Sequence, residues 1–314
     1  MTRDAFVARW AAALGDRWQA DAPLAPLTTF KVGGPAEFLA DISSEAELRA
    51  LVREASDAGI PVTPLGGGSN VLVADEGIRG VVVRLRLTDI ERVDRETVRA
   101  GAGVTINGLV RWTIGRGLAG LEAWAGTPGT VGGAIRGNAH WGGQDIATRV
   151  RSVTLAARDG SIVDVPGDQM GFAYDRSRII DTGEIVVAAS FVVAEGNVEE
   201  LRARARASLH YRKQTQPLAM PSAGCIFQNP SPDDSVPAGI PRSAGALIDR
   251  AGLKGLRIGG ARISERHANF IVNDGGATAD DIRQLIERAR DEVRRRFGVE
   301  LRDEVVCLGT FRHG

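Results

Sequence analysis

Cysteine is scarce: Cys225 and Cys307 are the only two in 314 residues. Two thiols cannot build a disulfide framework, and a reducing cytoplasm suits them. The four histidines are scattered, and no paired Cys/His spacing supports structural zinc. Lysine occurs only at Lys31, Lys213 and Lys254, so arginine carries most of the positive charge. That charge has no surplus, because Lys plus Arg and Asp plus Glu both number 39. A nucleic-acid binder needs a basic excess to neutralise phosphates, and none is present. No window approaches the roughly 18 consecutive apolar residues of a membrane span. The first residues, MTRDAFVARWAAALGD, lack the apolar core and small-residue cleavage site of a signal peptide. The sequence thus predicts a cytoplasmic protein with neither nucleic acid nor membrane as partner, and a monomer by default.

Glycine is what the chain has in excess, 39 residues gathered in clusters. At 33.3 kDa, with 43% hydrophobic and 25% charged residues, the chain suits two or three lobes. Phe6, Trp10 and Leu14 fall four apart and predict a helix over 2–15. Leu48, Leu51 and Val52 predict another over 44–59, opened by serines and closed by Gly59. Short strands are expected at 62–65, 71–73, 81–85, 150–156, 162–165, 185–193 and 304–308. Helices are expected at 109–116 and 198–212. Ile282, Leu285, Ile286, Ala289, Val293 and Phe297 form a helical stripe, with Asp280 and Asp281 before it and Arg294–Arg296 at its end. Boundaries near 87 and 200 divide the chain into segments 1–87, 88–200 and 201–314.

Gly66, Gly67, Gly68, Ser69 and Asn70 lie between two short strands. Three glycines let backbone N–H groups converge on an anion, and Ser69 and Asn70 add side-chain donors. A flexible hairpin loop is the plain alternative. The loop is not a P-loop, since no Gly-Lys-Ser/Thr follows, nor a Rossmann fingerprint. The second cluster runs Gly126-Thr127-Pro128-Gly129-Thr130-Val131-Gly132-Gly133-Ala134, then Arg136-Gly137-Asn138-Ala139. Glycine at every third position suits a chain passing close to a flat ligand, or a tight helix crossing built on small residues. Two such loops favour a dinucleotide-sized cofactor over a single phosphate.

Pro26–Ala36, the Gly66–Asn70 loop and the Gly126–Asn138 run resemble the flavin-binding part of the UDP-N-acetylenolpyruvoylglucosamine reductase family, shorter class. Phe172–Ser177, Pro221–Pro230, Leu247–Gly255, His267–Asn273 and Leu301–Gly309 continue the resemblance in order, over roughly residues 23 to 310. It implies an α+β fold: an FAD-binding fold of the vanillyl-alcohol-oxidase / p-cresol-methylhydroxylase type with two α+β subdomains, plus a C-terminal α+β substrate domain. It also implies non-covalent FAD and NADPH as co-substrate. NADPH would reduce the flavin, flavin N5 would pass hydride to an enolpyruvyl double bond, and a protein acid would protonate the adjacent carbon. The product would be UDP-N-acetylmuramate, a peptidoglycan precursor.

On the same resemblance, the cofactor loops are Gly66, Gly67, Gly68, Ser69, Asn70, Gly126, Thr127, Pro128, Gly129, Gly132, Gly133 and Asn138. Cys225 stands at the acid position, where the family has serine or cysteine; a thiol is a better proton donor than an alcohol. Cys307, in an apolar strand, reads as a small buried hydrophobe. Glu304 falls where the family's closing motif places its catalytic glutamate. The family's Tyr-Arg-x-Ser is Tyr174-Asp175-Arg176-Ser177 here, so an acid occupies the arginine position. Helical geometry does not choose between Arg176 and Arg178 as the replacement, and a simple exchange with Asp175 favours Arg176. Tyr174, Asn229, Lys254 and His267 are the implied substrate contacts, and Gln228 replaces a frequent lysine. A flavin oxidase of the same fold is the rival reading; such enzymes often tether FAD through an early histidine, and none precedes His140. A flavin- or nucleotide-binding protein without catalysis is a third, supported by Asp175 alone.

Overall fold

The computed structural model describes residues 1–311; residues 312–314, the end of the third expected segment, lie outside the described residues. The chain divides into two compact units that interleave along the sequence. One comprises Met1–Ala22, Glu37–Gly67 and Arg79–Tyr211; the other comprises Pro23–Ala36, Gly68–Ile78 and the chain from Arg212 on.

In the first unit, apolar spacing sets the helices. Helix α1 (Arg3–Leu14) buries Phe6, Trp10 and Leu14, with Thr2 accepting from the Ala5 N–H and Gly15 ending it at φ 54°. Helix α2 (Glu45–Asp57) is capped by Ser44 and buries Leu48, Leu51, Val52 and Ala55. Both pack on a four-stranded sheet ordered Trp18–Pro23, Pro35–Ile42, Ile78–Leu85, Val62–Pro64. The last two strands run parallel, with Val62 opposite Val81. A second, antiparallel sheet is ordered Ile162–Pro166, Val150–Ala156, Ile185–Val192, Thr97–Gly101, Ile90–Arg92. Its core takes in Val98, Val153, Leu155 and Phe191, with Leu109 of helix α3 (Ile106–Gly115) and the fully enclosed Trp124.

Helix α3 begins three residues before the sequence expectation because the Thr105 side chain caps the Gly108 N–H. The second glycine cluster is split. Its first part is loop, while Val131–Arg136 form the short helix α4, opened by Thr130 accepting from Gly133. Packing favours glycine at Gly132, since a Cβ on it would lie 3.2 Å from the Ala102 Cβ and one of the two would have to give by a few tenths of an ångström. Helices α5 (Ile179–Thr182) and α6 (Val198–Thr215) follow.

In the second unit, helices α7 (Ala244–Arg250) and α8 (Ala279–Phe297) accompany a three-stranded antiparallel sheet, Arg257–Ile258, Ala261–Ile263, Ile271–Asn273. The expected stripe of α8, from Ile282 to Val293, is buried, while Phe297 is partly buried against the same core. Phe30, Val32 and Leu72 share that core, which ties the early segments to this unit. The closing strand is Val306–Leu308, shorter than expected, and pairs in parallel with Val71–Val73. Among the described residues no helix is long and apolar enough to cross a membrane.

Candidate functional site

The two glycine loops of the first unit press against each other. A Cβ on Gly67 would fall 2.7 Å from the Gly129 Cα, and one on Gly66 would fall 2.7 Å from Thr130 Oγ1. Among the described residues no acceptor takes the N–H groups of Gly66 or Gly67. The second loop is held from α3: the Gly126 N–H donates to Asn107 Oδ1 at 2.7 Å, and Asn107 Nδ2 donates to the Thr127 carbonyl at 3.1 Å. The Ile106 N–H adds a bond to the Gly129 carbonyl at 3.1 Å. Pro128 sits between these anchors. Asn107 was not singled out from sequence, because its partners lie about twenty residues away and its local pattern is ordinary.

Asn138 is buried at φ 45°. Its Nδ2 donates to the Ala173 carbonyl at 2.9 Å, and its Oδ1 accepts from the Ala147 N–H at 3.1 Å. Its amide thus braces the 173–177 segment. That segment is a tight turn and not a helix, so helical spacing does not apply to its arginines. Arg176 is exposed and pairs with Asp181 at 2.6 Å. Arg178 makes a two-pronged contact with Glu184, at 3.0 and 3.1 Å. Asp175 faces His140, 3.2 Å from its Nδ1, and Tyr174 lies against the same ring.

In the second unit Gly68, at φ 62°, comes so close to the 27–28 backbone that a Cβ would collide with the Leu27 carbonyl. Ser69 follows, half-buried. Asn70 Nδ2 donates to the Glu304 carbonyl at 3.0 Å. The Glu304 N–H in turn donates to the Ile226 carbonyl at 2.8 Å, and Phe227 and Asp303 form an antiparallel bridge. The backbone therefore carries Cys225 and Glu304, far apart in sequence, on adjoining strips. Asn269 locks the first strip, its amide bonding both the N–H and the carbonyl of Phe227. Asp303, next to Glu304, is held by Arg283 and Arg290 of α8.

Arg212 is another residue that the sequence reading missed. It is 5% exposed; burial pushes its guanidinium down to about 10, and the charge of Cys225 acts in the opposite direction. A cation thus stands within electrostatic reach of that thiol. Cys307 is the ordinary thiol by contrast, pushed up by burial even though Arg283 acts against it.

Asn229 and His267 lie at the start of α7, and Lys254 is within electrostatic reach of His267. Asn229 Oδ1 accepts from the Ala244 N–H at 3.1 Å, and a Cβ on Gly245 would sit 3.3 Å from His267 Cε1. His267 is held low by burial and, next, by the charge of Lys254, so it stays neutral and its Nδ1 accepts from the Asn269 N–H at 3.3 Å. Lys254 is bound to Asp249 at 2.7 Å. Gln228, half-buried beside Asn229, brings no charge to this group.

Comparison with known proteins falls on these same segments. Residues 216–308 match the family profile "UDP-N-acetylenolpyruvoylglucosamine reductase, C-terminal domain", and residues 36–166 match "FAD binding domain". The chain is 42% identical over 294 residues to the UDP-N-acetylenolpyruvoylglucosamine reductase of Heliobacterium modesticaldum, covering 93% of this chain and 91% of that one. It is 43% identical over 292 residues to that of Rubrobacter xylanophilus, covering 92% and 94%. The crystal structure of the Thermus caldophilus reductase is similar with a TM-score of 0.77 and 35% identity, over 92% of this chain and 98% of that one.

Proposed function

The chain belongs to the UDP-N-acetylenolpyruvoylglucosamine reductase family of FAD-dependent oxidoreductases, and from that premise we propose that it reduces UDP-N-acetylglucosamine enolpyruvate to UDP-N-acetylmuramate with NADPH, as a cytoplasmic monomer. The observation that supports this most is the bond from the Glu304 N–H to the Ile226 carbonyl, which sets an acid and a carboxylate on adjoining strips of one unit.

The residues present fit FAD. The N–H groups of Gly66 and Gly67 meet no acceptor among the described residues, and the glycines leave the backbone bare for phosphate oxygens. Gly126, Thr127, Pro128, Gly129, Gly132 and Gly133, with Gly68, Ser69 and Asn70, would complete the hold, while Asn138 keeps the second loop in shape. When bound, FAD supplies the two-electron relay between NADPH and the enolpyruvyl double bond.

Reduction forms one new C–H bond by hydride and leaves an electron pair on the carboxylate-bearing carbon. Cys225 gives its S–H proton to that carbon, and the thiolate left behind is within electrostatic reach of the Arg212 cation. Glu304 orients or relays the proton. Arg176 stabilises the growing enolate charge, leaving its surface pair with Asp181 to do so. Tyr174, Asn229, Lys254 and His267 bind the sugar nucleotide, with Lys254 suited to the diphosphate. The segments 1–87, 88–200 and 201–314 serve as two flavin subdomains and a substrate domain.

Anaerobic titration tests this. NADPH should bleach the flavin of the purified protein, and the enolpyruvyl sugar nucleotide should restore the colour while gaining two hydrogens by mass. Reoxidation by oxygen but not by the sugar nucleotide would identify an oxidase instead. Acid precipitation should release all the yellow colour, and colour retained by the denatured protein would refute non-covalent binding.

A further inference from the structure

Residues 102–107 and 126–132, both in the first unit, run side by side and are joined by a ladder of hydrogen bonds. The Gly132 N–H donates to the Ala102 carbonyl at 3.0 Å, and the Val131 N–H donates to the Val104 carbonyl at 2.8 Å. Thr105 and Thr130 face each other as an antiparallel bridge, and the Ile106 N–H donates to the Gly129 carbonyl at 3.1 Å. There the backbone ladder has to stop. Helix α3 starts at Ile106, with Thr105 Oγ1 accepting from the Gly108 N–H at 3.0 Å, and a helix turns its peptide groups along its own axis.

Asn107 carries the ladder on. Its side-chain amide has the donor and acceptor of a peptide group and offers both to the next residues of the loop. Oδ1 accepts from the Gly126 N–H at 2.7 Å, and Nδ2 donates to the Thr127 carbonyl at 3.1 Å. Gly126 and Gly129 take φ 83° and 98°, so the stretch between them follows no regular element and relies on such ties for its shape. What the ties hold is a set of donors. The N–H groups of Gly129 and Thr130 meet no acceptor among the described residues, and the same is true of Gly66 and Gly67. The two pairs adjoin, since a Cβ on Gly67 would fall 2.7 Å from the Gly129 Cα and one on Gly66 would fall 2.7 Å from Thr130 Oγ1. Unclaimed N–H groups on two touching loops suit the adjoining oxygens of a diphosphate.

We propose that Asn107 is a positioning residue for the cofactor: its amide fixes the 126–129 loop so that the Gly129 and Thr130 N–H groups, with those of Gly66 and Gly67, hold the diphosphate of FAD. The proposal rests on the flavin reading above and goes beyond it in naming what sets the loop. Asn107 acts through Gly126 and Thr127, because its amide is engaged with them at both ends. Its contribution is preorganisation, since a loop already in place loses less freedom when the cofactor binds.

The test is equilibrium dialysis of the FAD-loaded protein at a series of dilutions, with released FAD read by its fluorescence. Asn107→Leu, close in size but without the amide, should raise the Kd for FAD about tenfold or more. Asn107→Asp keeps an acceptor for the Gly126 N–H but sets a carboxylate oxygen against the Thr127 carbonyl. It should also lose about tenfold, even though an acid in the first turn favours the helix itself. A weakened helix therefore cannot account for the Asn107→Asp result. Excess FAD should then return both variants to within about threefold of the wild-type rate of bleaching by NADPH, so that the defect lies in half-saturation by FAD and not in the saturated rate. If Asn107→Leu holds FAD within about twofold of the wild type, or if excess FAD leaves both variants impaired, the amide only braces α3 and the proposal fails. If the wild type itself retains no FAD, it is the flavin reading that fails.

Discussion

Cys225 follows Gly224, which turns the chain at φ 81° and starts the strip that Glu304 and Asn269 hold. If the thiol is the acid, Cys225→Ala should still bleach with NADPH, because that step needs no proton from this strip. Reoxidation by the enolpyruvyl substrate should then fall on the order of 10²–10⁴-fold, and Cys225→Ser should recover much of it. Misfolding would lose both half-reactions together, so normal reoxidation by Cys225→Ala is the result that removes the thiol from the mechanism. Asn138 makes a different prediction, since its buried amide bonds the chain at both ends. Asn138→Ala should lower unfolding stability by about 2 kcal/mol, read as a shift of the urea midpoint with unchanged slope. An unshifted midpoint would mean that the brace carries nothing. These residues differ in how far the sequence reveals them. Cys225 and Glu304 stand in local motifs that can be read along the chain. His140, Asn107 and Arg212 act through partners that only folding brings close, and their neighbours in sequence give no sign of it.

Helix α8 shows what an element discloses and what it conceals. Its buried stripe and its basic last turn follow from side-chain period and macrodipole, and the sequence reading placed both. So did the ending, where Gly298 takes φ 68°. The opening owes more to a distant residue. Thr278 and Asp281 form a capping box, and Asp75 accepts from the N–H groups of Ala279 and Asp280, each at 2.9 Å. An acid some two hundred residues upstream cannot be read from the helix. Asp75→Ala should cost about 1 kcal/mol, or up to about 2 where the cap is partly buried, measured by urea unfolding. A change below a few tenths would show that the capping box alone suffices. The second glycine cluster teaches a related lesson. A period of three fits both an extended chain and a crossing of small residues, and the structure divides the run between loop and helix because Thr130 caps Gly133.

At the scale of the molecule, the order of motifs along the chain sufficed to identify the α+β flavin fold and the family. Which segments share a core was less legible: Phe30, Val32 and Leu72 join the core of α8 across long stretches of sequence, and no local pattern marks that. Charge is where the whole composition returns to stability. The chain is neutral at pH 7, and several carboxylates, among them Glu37, Asp41, Glu47 and Asp274, are held below their usual range. Glu47 is the clearest, lowered to about 2 by the hydrogen bonds from Arg17, whose guanidinium donates to both carboxylate oxygens at 2.9 and 2.7 Å. For Asp41 burial works upward and is outweighed by hydrogen bonds from Arg84 and Arg86, so it too is lowered. A carboxylate lowered by folding binds its proton more readily in the unfolded chain, so its stabilisation is complete above the unfolded value and is lost as pH falls toward the folded one. For Glu47 that window runs from about 4.5 down to about 2. The urea midpoint should therefore hold steady from about pH 7 to about pH 5 as far as these groups are concerned, then fall steeply. Glu47→Gln should unfold more easily than the wild type at neutral pH, and the two curves should converge as the pH approaches 2, because protonation has by then removed the same ion pair from both. Parallel curves across that window would mean that the Arg17–Glu47 pair is exchanged for water at no cost, and that acid sensitivity arises elsewhere.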